Sequence, residues 1–156
     1  STGDHFRIEV AAYPEIHPES PSVESELKYF KVKVDAGADS ALTQFFFNAD
    51  AYFNFVERCW EYGIRIDIVP GIMPIVNYPN LARFSANCGA EIPQWIGKQM
   101  ESYGDDKKSI QQFGEEVVTK MCERLIEGGV PGLHFYTLNQ ALPSMRIWKN
   151  LNLDNI

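Results

Sequence analysis

Residues 41–63, "ALTQFFFNADAYFNFVERCWEYG", hold both halves of a βα unit. Residues 41–47 are apolar and aromatic except for Thr43 and Gln44, which is the make-up of a buried strand. Asn48 is a natural N-cap, because its side-chain oxygen can accept from an amide in the first helical turn. Beyond it Tyr52, Val56 and Cys59 recur at helical spacing as far as Tyr62, and Gly63 supplies a stop. A strand that runs directly into a helix predicts a parallel sheet, since a parallel partner is reached only by a long crossover. Gln44 is the anomaly, an amide side chain near the end of an otherwise apolar strand.

The same unit recurs along the chain. Residues 7–13 ("RIEVAAY") alternate as a strand and lead into a proline-rich loop, "PEIHPESP". Ser22 then caps a helix whose apolar residues Val23, Leu27, Phe30 and Val34 fall at offsets 0, 4, 7 and 11, closing at Gly37. A third strand spans 64–69 and ends at Pro70–Gly71. A short helix around 81–86 follows, then a long one over 106–127 with Ile110, Phe113, Val117, Met121 and Leu125 in phase. Residues 133–138 form the last strand and 143–150 the last helix. No strand is followed by G-x-G-x-x-G or G-x-x-x-x-G-K-[ST], so neither a dinucleotide-binding Rossmann turn nor a P-loop is present. The pattern alone leaves two α/β architectures open, a doubly wound sheet and part of a (β/α)8 barrel. Four βα units would be half of such a barrel, which takes about 250 residues.

Composition bounds the function. The 156 residues suit one domain, 1–156, and 45% hydrophobic with 22% charged residues is the balance of a water-soluble globular chain. No apolar run approaches the ~20 residues that cross a bilayer. A net charge of −7 disfavours nucleic acid and anionic membranes as partners. Residues 1–4 carry no signal-peptide features. Cys59, Cys88 and Cys122 are odd in number and widely spaced, so no disulfide framework or metal site is expected, and a reducing cytoplasm is.

Side-chain parity sharpens the candidates. Alternation puts Leu42, Gln44 and Phe46 on one face of their strand and Thr43, Phe45 and Phe47 on the other. If Gln44 faces a barrel axis, its amide reaches a ligand site and Phe45 and Phe47 pack beneath helices. By the same rule Tyr13 shares a face with Ala11 and Glu9, and Tyr136 with Leu138. Asn80 and Phe84, four residues apart, lie on one helix face.

The four strand ends read "AAYPEIHPES", "TQFFFNAD", "IVPGIMPIVNY" and "HFYTLNQ". In this order and spacing they resemble the methylenetetrahydrofolate reductase family, and the likeness runs from about Phe6 to Leu153. The resemblance implies a (β/α)8 TIM-barrel fold, with FAD at the C-terminal ends of the strands. It implies reduction of 5,10-methylenetetrahydrofolate to 5-methyltetrahydrofolate, with NADH or NADPH as hydride donor, by a cytoplasmic homo-oligomer. FAD would be held by Tyr13, His17, Pro18, Glu19, Ser20, Glu26 and Lys33. Substrate and nicotinamide would meet Gln44, Asn80, Phe84, Tyr136, Leu138 and Gln140.

Some family features have no counterpart in these residues. The F-E-F/Y-F-P-P-like motif that bears the catalytic glutamate is absent, as is the "RGD"-like segment of the fourth strand. The resemblance therefore implies that this chain supplies strands five to eight, the C-terminal half of the barrel, with no catalytic acid of its own and no activity in isolation. Three positions depart from the family's pattern: Glu26 stands where aspartate is expected, Asn80 where glutamine is, and Gln140 where arginine is common. The alternatives are a non-catalytic half-barrel that serves binding or assembly, and another flavin or folate barrel enzyme on the same scaffold.

Overall fold

The structure is a computed structural model that describes residues 6–153. Its elements in chain order are β1 (Glu9–Ala12), α1 (Val23–Asp35), β2 (Ser40–Thr43), α2 (Ala49–Glu61), β3 (Asp67–Val69), β4 (Gly71–Ile72), α3 (Tyr78–Cys88), α4 (Gln94–Ser102), α5 (Lys107–Glu127), β5 (His134–Phe135) and α6 (Ala141–Asn150). Every strand pairing is parallel: β1 with β2, β2 with β3, and β4 with β5. The α/β architecture with parallel strands is the one the sequence predicts.

The third predicted strand is two strands, and Pro70 is the reason. Proline has no amide hydrogen to give to a ladder. Up to Val69 the strand pairs with β2, and from Gly71 it pairs with β5, while the Pro70 carbonyl accepts from His134 N at 3.0 Å. The strand thus hands over from one neighbour to the next at a single residue.

The helix ends follow the predicted caps. Ser22 Oγ accepts from Ser25 N, and Asn48 Oδ1 from Asp50 N. Gly37 and Gly63 take the left-handed conformations, φ 107° and 82°, that stop α1 and α2. The strands are shorter than expected, because pairing fixes only the residues that have a partner. Helix α4 has no counterpart among the elements that the sequence pattern predicts. Its buried stripe, Ile96 and Met100, is short, and its N-cap Pro93 makes no side-chain cap bond.

One face of the β1–β2–β3 sheet carries Ala12, Ala41, Thr43 and Ile68, all buried in the core beside Leu27 and Phe30 of α1 and Phe55 of α2. The opposite face carries Glu9, Ala11 and Asp67, which are exposed. Phe30 stacks on Phe55 at 5.9 Å, which locks α1 to α2. The predicted parity fails at Phe46. The ladder ends with the bond from Gln44 N to Ala12 O, and the chain then turns. Phe46 is fully buried and stacks 5.7 Å from Tyr52 of α2, on the helix side rather than on the Gln44 side. Burying such a ring contributes about 1.5–3 kcal/mol, which outweighs strand alternation once no partner strand enforces it.

Candidate functional site

Two groups of side chains gather at the C-terminal ends of the strands. The first surrounds Tyr13. Its ring meets the His17 imidazole edge-on at 4.7 Å, and Lys33 Nζ lies 5.9 Å from its centroid. Lys33 also donates to the Ala11 carbonyl at 3.0 Å, which holds the ammonium of α1 over the end of β1. Burial raises the Tyr13 phenol above its ordinary range, and the nearby Glu26 carboxylate and Cys88 add to the rise. Tyr13, His17, Glu26 and Lys33 are thus one neighbourhood. His17 Nδ1 accepts from Glu19 N at 3.2 Å and the His17 carbonyl from Ser20 N at 2.8 Å, so Glu19 and Ser20 belong to the same tight loop.

That loop is pinned to the end of α3. Glu15 Oε2 accepts from Glu91 N at 3.0 Å. Gly89, with φ 70°, leaves room for Pro18: a Cβ there would stand 3.0 Å from the Ile16 carbonyl and from the Pro18 ring. Gln44 lines the small crevice between loop and helix together with Tyr13, Glu15 and Cys88. Its own Oε1 accepts from Phe45 N at 3.1 Å, which leaves the amide nitrogen outside that bond.

The second group lines a cavity of about 90 Å³ that includes Asn80, Phe84, Tyr136, Leu138 and Gln140. Asn80 and Phe84 come from α3, as the four-residue spacing predicts. The other three come from the segment after β5. Leu138 reaches the cavity differently from expectation. β5 ends at Phe135, and Leu138 and Asn139 take positive φ values of 48° and 61°, so a turn and not strand alternation sets the Leu138 side chain beside Tyr136. Two consecutive non-glycine residues in that region mark a strained loop, a feature that clusters at ligand sites. Burial raises the Tyr136 phenol, and the neighbouring Tyr13 phenol raises it further, so the two groups adjoin. Of the six substrate candidates, Gln44 alone lies in the first group, beside Tyr13.

The family model for methylenetetrahydrofolate reductase matches residues 1–152. The chain belongs to the methylenetetrahydrofolate reductase family. Among curated relatives of that name it is 45% identical to the one from Buchnera aphidicola subsp. Acyrthosiphon pisum, over 87% of this chain and 47% of the relative. It is 40% identical to that of Escherichia coli K12, over 95% of this chain and 50% of the relative. The NADH-named reductase 1 of Arabidopsis thaliana is 39% identical over 97% of the chain and 27% of its own length. The chain spans about half the length of the bacterial relatives it matches. A solved structure, described as an uncharacterized protein from Clostridium thermocellum that binds two copies of 5-methyl-5,6,7,8-tetrahydrofolic acid, superposes with a TM-score of 0.62 at 16% identity. It covers 96% of this chain and 54% of that one, a likeness of fold.

Within this reductase-family chain several residues shape the site without having stood out in the sequence. Thr43 and Gly71 position Tyr136; in the sequence Thr43 shows only as a polar residue in an apolar strand, and Gly71 only as half of the Pro70–Gly71 stop. Glu15 pins the Tyr13 loop, and nothing in "YPEIHPES" distinguishes it from a solvated carboxylate. Among the described residues no three metal-binding side chains cluster, and no helix is long and apolar enough to cross a membrane.

Proposed function

We propose that the protein carrying this chain reduces 5,10-methylenetetrahydrofolate to 5-methyltetrahydrofolate with FAD and NADH or NADPH, as a cytoplasmic homo-oligomer. The single observation that carries this reading is the convergence of Asn80, Phe84, Tyr136, Leu138 and Gln140 on one cavity from two separate segments. Chance gathering of the residues named by the family resemblance is a poor explanation of that geometry.

The donor set around Tyr13 fits a flavin dinucleotide. Lys33 supplies a compact cation for a phosphate, and Glu26 and Ser20 supply partners for hydroxyls. His17 Nδ1 is already engaged by Glu19 N, which leaves Nε2 as the nitrogen for a ligand. When bound, the flavin supplies hydride transfer between nicotinamide and folate, chemistry that no side chain here possesses. This chain's own part is to bind and orient. Phe84, 36% exposed on α3, offers its ring face to a nicotinamide or to the aryl part of a folate, and Gln44 offers its amide to a carboxamide or pterin edge. The two ligands would use the place in turn. The acid that assists ring opening is not assigned to these residues, so the chain does not complete the reaction alone. The reading keeps the (β/α)8 arrangement, with this chain as strands five to eight, and the exposed face bearing Glu9, Ala11 and Asp67 turned to the barrel interior.

Anaerobic spectroscopy on the protein at its full natural length tests the reading. The purified protein should be yellow, bleach with NADH or NADPH, and regain colour on adding methylenetetrahydrofolate with methyltetrahydrofolate as product. A colourless protein, or a bleached one that the folate fails to reoxidise, would sink it.

A further inference from the structure

Next to the cavity of Asn80 and Phe84 lies a larger one of about 350 Å³. The two share Pro74, Val76, Gln140 and Pro143, so they are neighbours across a common wall. The far side of the larger cavity is the seam between α5 and α6, where Gly114 lets α5 press close. A Cβ there would stand 2.6 Å from the Ile75 carbonyl. Among the described residues that line it, Arg146 is the one cation and Glu115 the one anion.

These two charges are loosely matched. Arg146 Nη1 and Glu115 Oε2 are 3.9 Å apart, beyond hydrogen-bond reach, and the Arg146 side chain is half exposed. Glu115 is held elsewhere, its Oε1 accepting from Asn150 Nδ2 at 2.8 Å. The first turn of α6 forms the adjoining wall, and its N-cap Gln140 makes no side-chain cap bond. The first-turn amides therefore add a partial positive charge on the same side. A guanidinium with spare donors, in a cavity of mixed apolar and polar lining contiguous with the smaller one, is suited to a carboxylate carried on a ligand that spans both.

We infer that the larger cavity receives the anionic tail of the ligand whose rings occupy the smaller one, and that Arg146 grips a tail carboxylate, with Glu115 as its resting counter-ion. This rests on the folate reading of the smaller cavity. A folate carries, beyond its pterin and aryl rings, a glutamyl group with two carboxylates. Gln140, between the cavities, is neutral and cannot supply the charge, and Arg146 can.

Equilibrium titration of the full-length protein with 5-methyltetrahydrofolate, and with the same molecule lacking its glutamyl group, separates the possibilities. Arg146→Gln should weaken the first ligand about three- to ten-fold and leave the second unchanged, since a half-exposed charge-assisted contact falls between an exposed ion pair and a buried one. Glu115→Gln should tighten the first ligand alone, because the competing carboxylate is gone. Higher salt should shrink both effects. Arg146→Gln that weakens neither ligand, or both equally, overturns the inference while the folate reading stands. Should Arg146→Gln fail to fold, an unchanged affinity in Glu115→Gln overturns it instead. If the unaltered protein binds neither ligand, the folate reading falls and takes this inference with it.

Discussion

The phenol of Tyr136 donates to the main-chain carbonyl of Thr43 at 2.9 Å, joining the segment after β5 to the end of β2. Thr43 does a second job with its side chain, as Oγ1 accepts from Gly71 N at 2.8 Å. One residue thus bridges the handover that Pro70 creates. The crowding explains why residue 71 is glycine: a Cβ would stand 2.2 Å from the Thr43 carbonyl oxygen and 2.6 Å from the Tyr136 ring. The same crowding holds Tyr136 against the cavity wall.

Thr43→Val should therefore destabilise the protein although it preserves shape. Thr43 is fully buried, and the change leaves the Gly71 amide without its acceptor. An unsatisfied buried donor costs about 1–3 kcal/mol. Thr43→Ser keeps the acceptor and should lose less. Denaturant unfolding of the two variants decides, and a valine variant as stable as the serine one would discount the bond.

How far the sequence revealed these relationships follows from their range. Ser22, Asn48, Gly37 and Gly63 punctuate the helices through contacts within a few residues, and each was legible. So were the parallel order of the strands and the shared face of Asn80 and Phe84. The Pro70 handover needs β5, more than sixty positions on by residue number, and local pattern shows the break at Pro70 but not the partner beyond it. Phe46 misled because alternation is a property of paired strands, and the pairing stops two residues earlier. Strand alternation predicts Leu138 beside Tyr136, but a left-handed turn after β5 is what puts it there. The roles of the cofactor and substrate residues came from family resemblance rather than from periodicity.

Glu15 gives a pH test of the loop that holds Tyr13. Burial raises its carboxyl above the ordinary range, the bond from Glu91 N pulls it back, and the Glu91 charge raises it again, with a net rise. A carboxyl whose folded pKa is raised binds its proton more readily in the folded state. Its contribution to stability is present below the unfolded value and is lost as pH rises through the folded one. Glu15→Gln keeps an oxygen for Glu91 N and removes the charge. The variant should melt higher than the parent at about pH 7, and the gap should close toward about pH 4. The gain will be small, as the group is only partly shielded from water. A gap that widens on acidification contradicts the assignment.

Phe84→Ala tests the ring face on α3. The side chain is 36% exposed, so its removal opens no sealed cavity, and alanine is the better helix former. Stability should hold while ligand stacking is lost. Aromatic stacking is worth about 0.5–1.5 kcal/mol beyond area, so each half-reaction should slow or bind its ligand several-fold more weakly. Stopped-flow traces of flavin reduction by the nicotinamide and reoxidation by the folate provide the reading. Unchanged values in both would return Phe84 to a packing role.

Gln140→Arg probes the wall between the two cavities. Gln140 is exposed and caps α6 without a side-chain bond, so replacing it sacrifices no cap. A positive charge at a helix N-terminus costs about 0.3–1 kcal/mol of stability, which a thermal melt should register as a small loss. Against that, an arginine can hold a carboxylate of the folate tail in a bidentate, charge-assisted way that the neutral amide cannot. KM for methylenetetrahydrofolate should fall, and flavin reduction by the nicotinamide, which has no such tail, should change little. The gain should lie between the ~0.2–1 kcal/mol of an exposed ion pair and the ~1.5–3 kcal/mol of a hydrogen bond to a charged group. Exposure favours the lower end, and added salt should shrink the gain further. Steady-state kinetics at low and high ionic strength supply the measurement, with Gln140→Ala as the companion variant. A folate KM that neither substitution moves would place this side chain outside the substrate's reach.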